Sequence, residues 1–231
     1  YKSSLVLNFV EPVMFLAAMG LGLGAFLKEI NGVPYVNFIA PGIMASSAMY
    51  AATFECTYGT YVRMTFQKTF DAILATPVSV EDLVAAELLW AACKSVLYSA
   101  IILIVISAFG LVASPWVLLS IPGVFVAGVV FAELAVITTA LVPGIDSYNY
   151  YFTLFLTPMF LFSGIFFPLD GMPAWVGAVA AATPLYNLVN ICRESAMGHP
   201  ASTLLNFGVL VLMASALSPL PFRLMRRRMI P

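Results

Sequence analysis

The sequence predicts an all-α integral membrane protein with six transmembrane helices, a cytoplasmic helix between the second and third, and a re-entrant helical hairpin between the fifth and sixth. Three observations predict the class. Of 231 residues, 62% are hydrophobic and 9% charged, whereas a soluble domain is about half apolar and about a quarter charged. The mean hydropathy is +1.00. The apolar residues also gather into runs that match a bilayer core, ~30 Å or about 20 helical residues. These runs lack the period-two alternation of barrel strands.

No charged, short-cored, small-residue cleavage pattern opens the chain. It begins on Tyr1 rather than Met, so the natural N-terminus is expected upstream. The whole of 1–231 reads as one transmembrane domain. Its expected spans are about 5–27, 38–62, 83–112, 117–142, 148–168 and 203–222, separated by short polar or Pro/Gly-rich joints. Six spans place both termini on one side. Lys2, Arg63, Lys68, Arg223, Arg226, Arg227 and Arg228 would share that side, against Lys28 and Arg193 opposite. Positive charge marks the cytoplasmic face, so both termini and the 63–82 loop of this multi-pass chain are expected inside.

The first long joint reads RMTFQKTFDAILATPVSVED. Phe66, Phe70, Ile73 and Leu74 fall at helical spacing, with Lys68 and Asp71 on other faces. Thr76-Pro77 ends the pattern. Ser79 opens an S-x-x-D cap for the third span. The joint therefore predicts a short amphipathic helix over about 66–75. It is either a docking surface for a cytoplasmic partner or a helix resting on lipid.

After the fifth span the chain reads FFPLDGMPAW, and Thr183-Pro184 repeats the break. Pro168 and Pro173 interrupt the helical ladder, and Asp170 precedes a possible helix N-terminus. About 174–182 and 185–197 are each too short to cross. They are expected to dip into the outer leaflet and return, with Trp175 and Tyr186 at the interface; an ordinary extracellular loop is the plain alternative. Pro168, Asp170, Pro173, Trp175 and Tyr186 would then form an exit gate.

Charges within the spans are costly and need partners or water. They are Glu55, Glu87, Lys94 and Glu133. Lys94 lies about 17 Å along its helix from Leu83, and it is expected to pair with Glu55 or Glu133 on another helix. Substrate contact or proton relay is the sharper alternative. Gly20 and Gly24 have the GxxxG spacing of close helix packing. Tyr148, Tyr150, Tyr151, Phe152 and Phe155 crowd the start of the fifth span, as an interfacial belt or as a path for sugars or lipids. Cys56, Cys93 and Cys192 show no metal spacing, and His199 is read as a loop residue. No catalytic, cofactor-binding or metal site is expected.

Together NFVEP (8–12), GLGLG (20–24), TFECTYGTYVRM (53–64), QKTFDAILATPVS (67–79), AELLWAACKS (86–95), FLFSGIFFPLDGMPAW (160–175) and TPLYNLVNICRESAMG (183–198) resemble the membrane subunits of type 2 ABC exporters. The likeness is to the permeases of nodulation-factor (lipo-oligosaccharide) and drug export. It covers nearly the whole chain; Ala86 stands where the family often has Gly. The resemblance implies a homodimer, two copies of a cytoplasmic ABC ATPase that bind the ATP and Mg²⁺, and contact with membrane lipid. It implies outward transport of a lipid-linked oligosaccharide, glycolipid or hydrophobic small molecule. It makes about Phe66–Ala75 the helix that couples to the ATPase, and it gives no nucleic-acid partner. The chain itself has no GxxxxGK[ST] motif. The competing readings are a proton-coupled carrier acting without an ATPase, for which internal repeats are expected, and a membrane-embedded enzyme, against which one His and scattered acids argue.

Overall fold

The structure, a computed structural model, describes residues 32–169 and 171–230 without a break. Met14, residues 17–20, Gly22, Gly24, residues 26–27 and residues 29–30 are described ahead of them. The expected first span therefore lies largely outside the described residues, as does Asp170. A two-residue antiparallel ribbon, β1 Glu29–Ile30 with β2 Val33–Pro34, leads into the first continuous helix.

That helix, α1 (Tyr35–Phe54), is the axis of the molecule: 15 of its 20 residues are buried. Its wall of Ala40, Gly42, Ala45, Ser46, Ser47, Ala48 and Ala52 is small, so neighbouring backbones approach closely. α1 runs on through two π-helical turns, Glu55–Gly59 and Val62–Phe66. α2 (Thr69–Leu74) follows, then α3 (Val80–Ala108). A 3₁₀ turn, Pro115–Leu119, opens α4 (Ser120–Leu141). α5 is composite, α-helical at Tyr148–Tyr151 and Thr157–Leu161 with a π turn Phe152–Leu156 between. α6 (Ala174–Ala181) and α7 (Pro184–Met197) form a pair bent by 90°. α8 (Thr203–Leu217) and α9 (Pro219–Met229) close the chain.

α3 and α4 pack on α1, and hydroxyls bridge the helices. Ser95 Oγ donates to the Ala48 carbonyl at 2.9 Å and Ser99 Oγ to that of Met44 at 3.1 Å. Thr139 Oγ1 donates to the Cys56 carbonyl at 2.7 Å and accepts from the Tyr148 hydroxyl at 2.9 Å. Ser79 caps α3 as its sequence predicts: Ser79 Oγ accepts from the Asp82 N–H, and Asp82 accepts from the Ser79 N–H, each at 3.1 Å.

Three described helical stretches, Val80–Ala108, Pro115–Leu141 and Thr203–Met229, are long and apolar enough to cross a membrane, and the bent pair would make a fourth if it were one span. Length and composition therefore do not reach six among the described residues. The reasons are physical. α1 is diluted by Asn37, Ser46, Ser47 and Thr53, and the helical part of α5, 14 residues, covers only about 21 Å. The expected fifth span of 148–168 stops at Leu161, because Phe162 to Pro168 leave the helix. The third stops at Ala108, short of 112, while the sixth runs past 222 to Met229.

Candidate functional site

At the end of α1 four charges meet. Glu55 divides its carboxylate: Oε1 accepts from Arg63 Nη1 at 2.7 Å, and Oε2 accepts from Lys94 Nζ. Arg63 Nη2 reaches across to Glu87 Oε2 at 2.6 Å. Thr60 Oγ1 donates to the same oxygen at 2.5 Å. Two acids meet two bases, so the cluster is neutral. It joins the end of α1 to α3 on both sides of the loop that carries α2. Lys94 also lies 5.7 Å from the centre of the Trp90 ring. Of the two acids open to Lys94, the structure selects Glu55.

Sequence reasoning counted Arg63 as a loop charge and missed its part here. Residues eight apart in an α-helix stand about 80° apart around the axis. The π turns in this stretch change that registry, and no sequence signal announces them. Glu133 stands apart: it is 2% exposed on α4, and its Oε2 has no hydrogen-bond partner.

The short helix differs from its expected limits. Phe66 belongs to the preceding π turn, and the chain breaks at Lys68, whose φ of 54° is left-handed. α2 thus spans six residues. Phe70 is 2% exposed and packs in the core, so it presents no face to a partner, whereas Phe66 is 66% exposed. Ile73 and Leu74 are half-buried against the core. Lys68 and Asp71 form an exposed pair at 3.6 Å. Of the residues expected to face a partner here, Phe66, Lys68 and Asp71 are the exposed ones.

The other end of α1 meets the bent pair. α7 is mostly buried; α6 buries only Val176 and Ala180, and Trp175 is 69% exposed. Pro173 is exposed just before α6, and Pro168 and Tyr186 are half-buried. Thr183 caps α7, with Pro184 in its first turn. Arg193 was counted as a positive charge of the outer side, within the expected helix 185–197, and it is 9% exposed. Its Nη2 donates to the Gly164 carbonyl at 2.7 Å, and its Nε and Nη2 donate to that of Phe38 at 3.4 Å.

Between these ends an aromatic ladder runs over α1 and α5. Tyr50, Phe54 and Tyr58 stack at four-residue spacing, with centroids 6.1 and 5.9 Å apart. Phe152 stacks on Phe54 at 4.8 Å and on Tyr58 at 5.7 Å, and Phe160 meets Tyr50 edge-on at 5.8 Å. Phe54 remains 48% exposed. Among the described residues no group of His, Cys, Asp or Glu is placed to hold a metal ion.

Apolar helices long enough to span a bilayer, wrapped around charges and aromatics at their ends and flank, define a membrane transport protein. The family is settled by comparison: the profile of the ABC-2 type transporter family matches residues 1–197, and the chain belongs to that family. Nodulation protein J of Sinorhizobium fredii (strain NBRC 101917 / NGR234) is 38% identical over 198 residues, covering 86% of this chain and 76% of that protein. Nodulation protein J of Rhizobium meliloti (strain 1021) is 36% identical over 230 residues, covering 99% and 88%. The inner membrane transport permease YadH of Escherichia coli (strain K12) is 22% identical over 230 residues, covering 98% and 89%. The chain is thus a membrane transport subunit of an ABC exporter rather than its ATPase.

Proposed function

We propose that the chain is one half of a homodimeric, ATP-driven exporter of an amphiphilic substrate, a lipid-linked oligosaccharide, glycolipid or hydrophobic small molecule. The aromatic ladder is the observation that carries the substrate class. Flat rings at regular spacing receive sugar faces or acyl chains without demanding a fixed set of hydrogen bonds. The resemblance of the sequence motifs to nodulation-factor permeases favours a lipo-oligosaccharide within that class, and relatives named Nodulation protein J are in keeping with it.

In this reading the subunit sits in a bacterial inner membrane with both termini cytoplasmic and six spans. Two copies of an ABC ATPase bind ATP and Mg²⁺ below it. The corner at Phe66, Lys68 and Asp71 takes the ATPase, and α2 transmits its movement. Glu55, Arg63, Glu87 and Lys94 tie α1 and α3 together, so that a push on the loop between them moves both helices as one body. The bent pair α6–α7 roofs the outer end of the path, with Pro168, Pro173, Trp175 and Tyr186 as its rim; Asp170 keeps its expected place in that rim as a proposal from the sequence. The second copy completes the path along the ladder.

The test is a stimulated-ATPase screen on the complete complex in proteoliposomes. Tagged acyl-oligosaccharide, glycolipid and hydrophobic dye are compared, each with the wild-type chain and with Phe54→Ala. Acyl-oligosaccharide is expected to raise ATP hydrolysis in the wild type, and Phe54→Ala to blunt that rise while basal hydrolysis stays. Equal stimulation in both chains removes the ladder from the path. A proton-coupled carrier without an ATPase is the second reading, favoured by the buried Glu133, whose Oε2 has no hydrogen-bond partner.

A further inference from the structure

We propose that Arg193 is the latch of the gate: its guanidinium holds the irregular segment 162–168 against α1, and release of that hold is the opening step. The word gate rests on the reading above; the latch rests on geometry alone.

The segment presents a problem that a helix does not. Once the chain leaves α5 at Phe162, its carbonyls have no partners four residues on. At membrane depth such groups must be satisfied from elsewhere. Arg193 satisfies two of them: Nη2 donates to Gly164 O at 2.7 Å and, more weakly, to Ile165 O at 3.5 Å. The same guanidinium reaches Phe38 O on α1 and lies 3.9 Å from the centre of the Phe38 ring. One planar group therefore joins three pieces of chain: α7, which carries it, α1, and the segment. A lysine ammonium lacks the fork and the flat face for this.

Behind the segment α1 supplies a seat. Ile165 is fully buried, and a Cβ added at Gly42 would lie 3.0 Å from its Cγ2 and 3.2 Å from its Cα. Gly164 itself has a φ of +77°, a conformation that favours glycine. So the segment is pressed into a groove on one side and pinned by a cation on the other.

The nature of the pin matters. Among the described residues no acid stands within ion-pair distance of Arg193; neutral carbonyls and the face of the Phe38 ring hold it. Letting go strands no opposite charge, and water or other carbonyls replace the lost bonds. The hold is therefore firm at rest and cheap to exchange, as an opening step requires.

Thiol labelling tests this in the full chain with its ATPase, in a Cys93→Ser background that removes the exposed thiol. Ser163→Cys places a probe on the segment at a position that is 0% exposed. An impermeant maleimide should label it slowly in the parent. Arg193→Gln should raise the rate about tenfold by local opening, and Arg193→Lys should fall between. A control probe at Ser99→Cys, buried in α3, should not change. An unchanged rate in Arg193→Gln overturns the latch. Equal acceleration at both probes also overturns it, because Arg193 would then be a general brace. If Arg193→Gln fails to reach the membrane, Arg193→Lys decides, and a parent-like rate overturns. Faster labelling at Ser163→Cys with unaltered ATP-driven export of tagged acyl-oligosaccharide would leave the latch standing and sink the gate reading.

Discussion

α1 meets cations withdrawn from water at each end, partly at Arg63 and Lys94 and almost wholly at Arg193, and the two ends hold them differently. Phe38 and Glu55 are seventeen residues apart on one helix, about 25 Å. At the Glu55 end, Arg63 and Lys94 face Glu55 and Glu87, charge against charge. At the Phe38 end, Arg193 faces only carbonyl oxygens and a ring. An ion-pair cluster is hard to take apart, because removing one member leaves another buried and bare. A cation on neutral dipoles leaves bare carbonyls but no bare charge. The first arrangement suits a joint that transmits force as a unit, the second a joint that opens.

The sharpest way to break this contrast is Glu55→Gln. It leaves Lys94 without its acid and Arg63 with half its partners. Stability should fall by about 3 kcal/mol, the low end of the cost of losing one partner of a buried pair because Arg63 and Lys94 keep some contact with water, read as a drop in thermal unfolding in detergent. Glu55→Gln with Lys94→Met should recover part of that loss. A double variant no better than the single would mean that the two residues do not act as a pair.

Arg193→Met should cost less, about 1–3 kcal/mol, the price of leaving buried carbonyls unpaired. The same thermal measurement checks it. A cost equal to or above that of Glu55→Gln would erase the difference between the ends. Smaller still, Ser79→Ala removes the cap of α3 near the cluster and should cost about 1 kcal/mol. Lys68→Gly is expected to go the other way. It relieves a left-handed backbone at a residue with a Cβ, and stability should rise by up to about 1 kcal/mol, unless the corner is remade.

How much of this was legible in the sequence differs between the same two regions. The breaks around α6 and α7 announce themselves as prolines, and Thr183-Pro184 places the second helix start within one residue, 185 expected against Pro184 observed. Ser79 and Asp82 are equally plain, because capping is local chemistry. The cluster was half legible. The cost of burying Lys94 demands an acid, but the choice of Glu55 over Glu133 depends on how the helices pack. Arg63 and Arg193 were read only as charges that mark a side of the membrane, because a positive residue outside the long apolar runs looks alike whether it meets water, an acid or carbonyls. The left-handed turn at Lys68 was missed for a related reason: no Gly, Asn or Pro marks it. Phe66 and Phe70, four apart, therefore seemed to share one helix face, although one is exposed and the other is core.

The most direct test of the account is transport itself. The chain is placed in proteoliposomes with and without its ATPase, and tagged acyl-oligosaccharide is followed across the bilayer. The account predicts movement only when the chain, the ATPase and ATP are all present, and a strong loss with Phe66→Ala while the complex still inserts. Movement driven by a proton gradient through the chain alone, without ATPase or ATP, would contradict it and turn attention to Glu133.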